Sequence, residues 1–346
     1  MSDHVRAALA SIVDGRSLSV DEARLAMGAV MDGEATPAQL AAMLVALRMR
    51  GETVEELAGF ASAMRERVLR VDAPAGAIDV VGTGGDGSGT FNISTASALL
   101  VASAGVPVAK HGNRAITSRS GSADVLEALG VRIDHDADSA AAALRSTGFA
   151  FMFAPNFHPA MRHAGPTRRE IGIRTSFNLI GPLTNPAGAR RALIGVGDPA
   201  AAGRIAEVAA LLGTDRTLVV HGAGVDELPL DGTGVLLDVA DGRVQLRTVD
   251  PSSLGLGEAS TRALAGGTAA ENAEIIDSIF AGDQGPRRDV VLLNAGAALV
   301  AAGVATDLAQ GVEASRAALD DGRPAALLEI LRAEKGAALA GAGSPA

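Results

Sequence analysis

A short apolar run at residues 78–81 stops at Gly82-Thr83-Gly84-Gly85-Asp86-Gly87-Ser88-Gly89, and a helical pattern resumes at 94–104. Five glycines in eight positions exceed what a plain turn requires. They let backbone N–H groups approach a bound anion closely. The spacing puts Ser94 and Thr95 where the helix starts. There free N–H groups and the helix dipole favour phosphate, and hydroxyls can reach phosphate or its metal. The stretch reads as strand, anion-binding loop, helix, the opening unit of an α/β sheet.

Gly82 to Gly87 also fits the dinucleotide pattern G-x-G-x-x-G. A dinucleotide site wants an acidic residue at the end of the second strand for the ribose hydroxyls. Here that strand, expected at 106–109, leads into Lys110-His111, which suits a phosphate. No G-x-x-x-x-G-K-[ST] occurs, which excludes a P-loop ATPase at the motif level.

The rest of the chain supplies the frame. Residues 1 to about 70 read as helices, with apolar positions at helical spacing in 21–31, 37–49 and 54–68. Residues 70–76 read as a linker. Strands are then expected at 131–133, 149–153, 192–196 and 217–220, alternating with helices such as 122–129. That order implies parallel strands joined by right-handed crossovers. Asp241-Gly242 between 235–240 and 243–249 is a hairpin signal. From about residue 261 helices return, and the tail after Lys335 is expected to fray. The predicted fold is α/β. A small helical domain, 1–72, precedes a larger domain, 73–167 and 191–346, whose central mainly parallel sheet is flanked by helices. Residues 168–190 have weak strand character and are expected to pack back on the helical domain.

Three further clusters stand out, the first two at expected strand ends. Lys110, Arg114 and Arg119 with Ser118, Ser120 and Ser122 form a dense set of phosphate donors. Asp226-Glu227 are adjacent carboxylates of the kind that hold magnesium together with phosphate oxygen. His158 and His163 flank a helix start, and one of Arg168, Arg169 and Arg174 is a candidate for a substrate carboxylate.

Composition narrows the chemistry. The chain has 346 residues, 48% of them apolar, and no cysteine, which excludes disulfides and thiolate ligands and fits a reducing cytoplasm. A net charge of −10 argues against a general nucleic-acid binder. No apolar stretch reads as a membrane span and no secretory signal is visible. Only two of the thirty basic residues are lysines, and Lys110 sits in the richest motif.

Taken together, Gly82-Thr83-Gly84-Gly85-Asp86, Asn92-Ile93-Ser94-Thr95, Lys110-His111-Gly112-Asn113-Arg114, Ser120-Gly121-Ser122-Ala123-Asp124, Arg168 to Arg174, Gly181-Pro182-Leu183-Thr184-Asn185-Pro186 and Val225-Asp226-Glu227 resemble the anthranilate phosphoribosyltransferases. The resemblance spans nearly the whole chain. It implies a cytoplasmic homodimer of the tryptophan pathway that uses 5-phosphoribosyl-1-pyrophosphate, anthranilate and Mg²⁺, two ions per monomer. It implies Gly82, Gly85, Asp86, Thr90, Asn92, Ser94, Thr95, Lys110 and Ser122 as donor contacts. Ser94, Asp226 and Glu227 would hold the metal, with Lys110, Asp226 and Glu227 central to catalysis. Gly82, Asn113, Arg168, His111 and His158 would face anthranilate. Residues 115–119 vary in the family, so Arg119 receives no fixed role. The alternative is a pyrimidine nucleoside phosphorylase, which shares the architecture. A non-catalytic nucleic-acid-binding relative predicts a basic groove and lost metal ligands, and fits poorly.

Overall fold

The computed structural model describes residues 2–115 and 119–342, with side chains to residue 338. Four helices come first: α1 (Asp3–Val13), α2 (Val20–Met31), α3 (Pro37–Arg50) and α4 (Val54–Arg67). Ser19, Thr36 and Thr53 close capping boxes with Glu22, Gln39 and Glu56, which satisfies the first backbone donors and fixes where α2, α3 and α4 begin. Ser2 makes no such bond ahead of α1, whose first turn carries the acidic Asp3.

Strands and helices then alternate: β1 (Ile78–Gly82), α5 (Ile93–Ser103), β2 (Val108–Gly112), α6 (Ser122–Ala128), α7 (Ala137–Ser146), β3 (Phe149–Phe153), α8 (Ala154–Phe157), α9 (Gly165–Ile171), α10 (Ser176–Ile180), β4 (Arg191–Gly195), α11 (Pro199–Leu211), β5 (Arg216–His221), β6 (Gly234–Ala240) and β7 (Arg243–Val249). Helices α12 (Ala269–Phe280), α13 (Pro286–Ala302), α14 (Leu308–Asp320) and α15 (Arg323–Ala342) close the chain. No helix among the described residues is long and apolar enough to cross a membrane.

The sheet order is β3-β2-β1-β4-β5-β6-β7, parallel from β3 to β5 and antiparallel from β5 to β7. The chain builds β1, β2 and β3 in one direction and then returns to place β4 on the other side of β1. Between β1 and β4 lies the topological switch point, where α/β sheets open a crevice outside the carboxyl ends of their strands. One face of the sheet packs on α5 and α13. The other joins a core shared by α11 and the N-terminal helices. Helices α9 and α10 contact α3 and α4.

Three differences from expectation have local causes. Residues 131–133 form no strand. Val131 and Ile133 bury their side chains, but Val131 N–H donates to Leu126 O, so the run closes α6 instead of joining the sheet. Strand β2 begins and ends later than predicted, because Lys110, His111 and Gly112 pair with Phe151, Met152 and Phe153 of β3. Lys110 and His111 are therefore strand residues. The tail also continues as helix α15 to Ala342.

Candidate active site

Five of the sequence motifs converge at the switch point. The loop after β1 holds Gly84, Gly85, Gly87 and Gly89 at positive φ, a backbone that presents N–H groups on a concave surface. The loop after β5 carries Asp226 and Glu227. The two are tied directly: Gly84 N–H donates to Asp226 Oδ2 at 2.7 Å, and Asp226 N–H donates to Asp86 Oδ2 at 3.3 Å. This approach requires small residues. A Cβ on Gly82 would lie 2.3 Å from Asp226 Oδ2, and one on Gly195 would lie 1.5 Å from Asp226 O.

Asp86, Asp226 and Glu227 bring carboxylate oxygens within 4.8 Å of one another. Burial pushes Asp226 up to about 6, with Asp86 adding repulsion. Burial and then the neighbouring Asp226 and Asp86 charges hold Glu227 well above its usual range. Glu227 Oε2 is buried with no hydrogen-bond partner among the described residues. An orphaned carboxylate oxygen beside two more carboxylates fits a divalent cation with oxygen ligands. Asp86, predicted as a donor contact, thus also belongs to the candidate metal cluster with Asp226 and Glu227. Ser94 stands in the first turn of α5.

Lys110 is 1% exposed, and its ammonium donates to Val80 O at 2.5 Å. Burial lowers it to about 8, while Asp79, Glu227 and Asp226 oppose the loss of its proton. The sequence reading misses Asp79. This carboxylate, pushed up to about 6 by burial, accepts from Asn185 Nδ2 at 2.7 Å and from His111 N–H at 3.2 Å. Its one available signal is an acidic residue inside an apolar strand run.

Asn92, Ser120 and Asn272 meet where the loop after β2 approaches α5. Asn272 Nδ2 donates to Asn92 Oδ1 at 2.9 Å, and Ser120 Oγ to the same oxygen at 3.3 Å. Thr95 is fully buried, and its hydroxyl has no partner among the described residues. Thr90 and Ser88 share a 3.2 Å hydroxyl contact, and Ser122 Oγ donates to Asn113 O at 3.3 Å. Asn272 has no sequence signal that sets it apart. Arg114 and Arg119 depart from the phosphate-donor reading. Arg114 pairs with Asp124 and Glu127 and lies over Phe153, and Arg119 reaches Glu271. Ser118 lies outside the described residues.

Of the predicted acceptor residues, two are brought together. His111 and His158 are buried with ring centroids 5.0 Å apart. Burial lowers them to about 3 and about 4, so both rings are neutral at pH 7, and each leaves Nε2 without a partner among the described residues. The guanidinium of Arg168 lies 4.7 Å above the Phe177 ring, and burial lowers its pKa. It has no carboxylate partner among the described residues. Asn113 is exposed at the rim, and its Oδ1 accepts from Arg114 N–H. His163 is exposed and bonded to Arg162. It stands apart from the His111–His158 pair.

Residues 75–325 match the family described as glycosyl transferase family, a/b domain, and residues 6–68 match glycosyl transferase family, helical bundle domain. A curated relative, the anthranilate phosphoribosyltransferase of Thermomicrobium roseum, is 52% identical over 334 residues, covering 95% of this chain and 96% of its own. The chain belongs to the anthranilate phosphoribosyltransferase family. Among solved structures of that family, the Thermus thermophilus enzyme superposes with a TM-score of 0.90 at 45% identity, covering 95% of this chain and 99% of its own. The Saccharomyces cerevisiae enzyme in complex with PRPP and Mg gives 0.87 at 26% identity, covering 97% and 99%. These relatives favour the transferase over the pyrimidine nucleoside phosphorylase alternative.

Proposed function

We propose that this protein transfers the phosphoribosyl group of 5-phosphoribosyl-1-pyrophosphate to the amine of anthranilate, releasing pyrophosphate, as a step of tryptophan biosynthesis. The observation that carries the reading is the junction of the glycine loop with the Asp86–Asp226–Glu227 cluster at the switch point. One wall offers N–H groups to phosphate and the other offers carboxylates to its counter-ion. Gly82, Gly85, Asp86, Thr90, Asn92, Ser94, Thr95, Lys110 and Ser122 are the proposed donor contacts. Asn113, Arg168, His111, His158 and Gly82 are the proposed acceptor contacts.

Asp226 and Glu227, joined by Asp86 and Ser94, would hold Mg²⁺, two ions per monomer. When bound, the metal neutralises charge on the pyrophosphate. The chain's own contribution is positioning and electrostatics. The bond from ribose C1 to the pyrophosphate oxygen breaks with its electron pair leaving on oxygen, and the anthranilate nitrogen forms a bond to C1. Positive charge grows on the ribose as this happens. The Lys110 ammonium and the loop N–H groups stabilise the departing anion. An arylamine is neutral at pH 7 and needs no strong base before it attacks, so two neutral buried histidines suit the acceptor wall. The nitrogen's proton is released to solvent or product after bond formation. Arg168, with no carboxylate partner among the described residues, pairs with the anthranilate carboxylate.

We further propose a cytoplasmic homodimer. Its small domain comprises residues 1–72 with 168–190 packed on it, and its larger domain residues 73–167 and 191–346. The test is loss of anthranilate fluorescence on adding the sugar pyrophosphate with Mg²⁺. Fluorescence should fall, and EDTA should stop the change. Fluorescence that is unchanged by donor and Mg²⁺ would end this reading.

A further inference from the structure

Arg168, Arg169 and Arg174 fall within seven residues, and the structure separates them. Helix α9 ends at Gly172, whose left-handed backbone (φ 69°) turns the chain back. Arg174 then reaches the loop after β1. Its Nη1 donates to Gly84 O at 2.7 Å and to Gly85 O at 2.8 Å. The guanidinium has no carboxylate partner among the described residues, so these two carbonyls are its ligands. In a trans peptide, C=O and the following N–H point in opposite directions. Holding the carbonyls of Gly84 and Gly85 on one side therefore aims the N–H groups of Gly85 and Asp86 to the other side. The N–H of Gly84 is already committed to Asp226 Oδ2. Two contacts from different parts of the chain thus fix successive peptides in a loop whose glycines would otherwise sample many orientations.

We propose that Arg174 is a positioning residue for the donor loop, and that it links loop order to the segment carrying Arg168. This rests on the reading that the glycine loop binds the sugar pyrophosphate. It adds that the loop's anion-binding form is held from the acceptor side, by a cation six residues beyond Arg168. The segment 168–174 then serves both substrates: Arg168 faces the acceptor, and Arg174 shapes the donor cradle through backbone carbonyls.

The experiment measures donor binding separately from turnover. Calorimetry with 5-phosphoribosyl-1-pyrophosphate and Mg²⁺ is run on the wild type, Arg174→Met and Arg174→Lys, alongside steady-state kinetics. Losing charge-assisted hydrogen bonds should weaken donor binding and raise the donor KM at least about tenfold in Arg174→Met. The anthranilate KM and the melting temperature should move little, because Arg174 is on the surface. Lysine can hold one carbonyl and should recover part of the loss. Donor affinity within twofold of wild type in Arg174→Met would overturn the proposal. So would a fall in kcat at unchanged donor affinity, since that places the residue in the chemistry. A wild type that binds donor but transfers nothing would sink the transferase reading alone, and the affinity ratio would still decide this one.

Discussion

The side-chain amide of Asn185 donates to Asp79 Oδ2 at 2.7 Å and to Ala109 O at 2.8 Å, and its Oδ1 accepts from Ala187 N–H at 2.8 Å. One buried amide therefore ties the returning chain ahead of β4 to β1 and β2, directly beneath Lys110. Replacing it by alanine leaves Asp79 and Ala109 O short of donors in a buried place. Asn185→Ala is expected to cost about 1–3 kcal/mol. It should also lower kcat/KM, since Asp79 opposes the loss of the Lys110 proton. Urea denaturation and steady-state kinetics check both, and a variant that matches wild type in each refutes the link.

Glu227 is an acid buried beside two others, and without a cation their repulsion burdens the fold. Glu227→Gln should raise the melting temperature in EDTA. It should also shrink the further rise that Mg²⁺ gives the wild type, because ligand binding stabilises the native state by mass action. Transfer activity should fall sharply. Equal Mg²⁺-induced shifts in both proteins would show that the cation sits elsewhere.

His158 titrates at about 4 in the folded protein because burial disfavours its charge. Unfolded, it takes up a proton near 6.5. Between those values the unfolded state binds more protons, so stability falls as pH drops from 6.5 towards 4. By pH 5 the loss attributable to this ring is about 2 kcal/mol. Asp79 and Asp226, raised by burial, act in the opposite sense over the same range, so the comparison must be between proteins. His158→Gln should lose less stability than wild type between pH 7 and pH 5. Parallel losses in guanidinium melts would contradict a neutral buried imidazole.

Lys110→Met preserves length and removes the charge under the carboxylates. Donor stabilisation should fall, lowering kcat/KM by about a hundredfold or more, with circular dichroism unchanged. Near-wild-type transfer would remove Lys110 from the mechanism.

Much of this was legible in the residues. Apolar positions at helical spacing in 21–31, 37–49 and 54–68 announced three helices, although the Ser19 cap of the first lies ahead of its apolar stretch, and glycine loops and acidic pairs at strand ends announced the rim of the sheet. Pairing partners were not legible. Lys110 and His111 look like loop residues until Phe151 and Met152 of β3 claim them as strand. Val131 looks like a strand residue until its N–H turns back to Leu126. The roles of Asp79, Asn272 and Arg174 depend on contacts between positions 89 to 180 residues apart, and local periodicity says nothing about such distances.

The chain passes between the N-terminal helices and the sheet at 68–77, at 154–164 and again at 184–190. These passages are laced together, with Leu69 N–H on Phe157 O and Val71 N–H on Pro186 O. Three adjacent tethers resist swivelling and leave bending as the soft motion. They also make the exposed stretch near Gly76 expendable as a connection. A protease nick there would leave α1–α4 held by those cross-bonds and by the packing of α3 and α4 on α9, α10 and α11. The cut protein should run as a single particle on gel filtration, because its halves are stitched rather than strung.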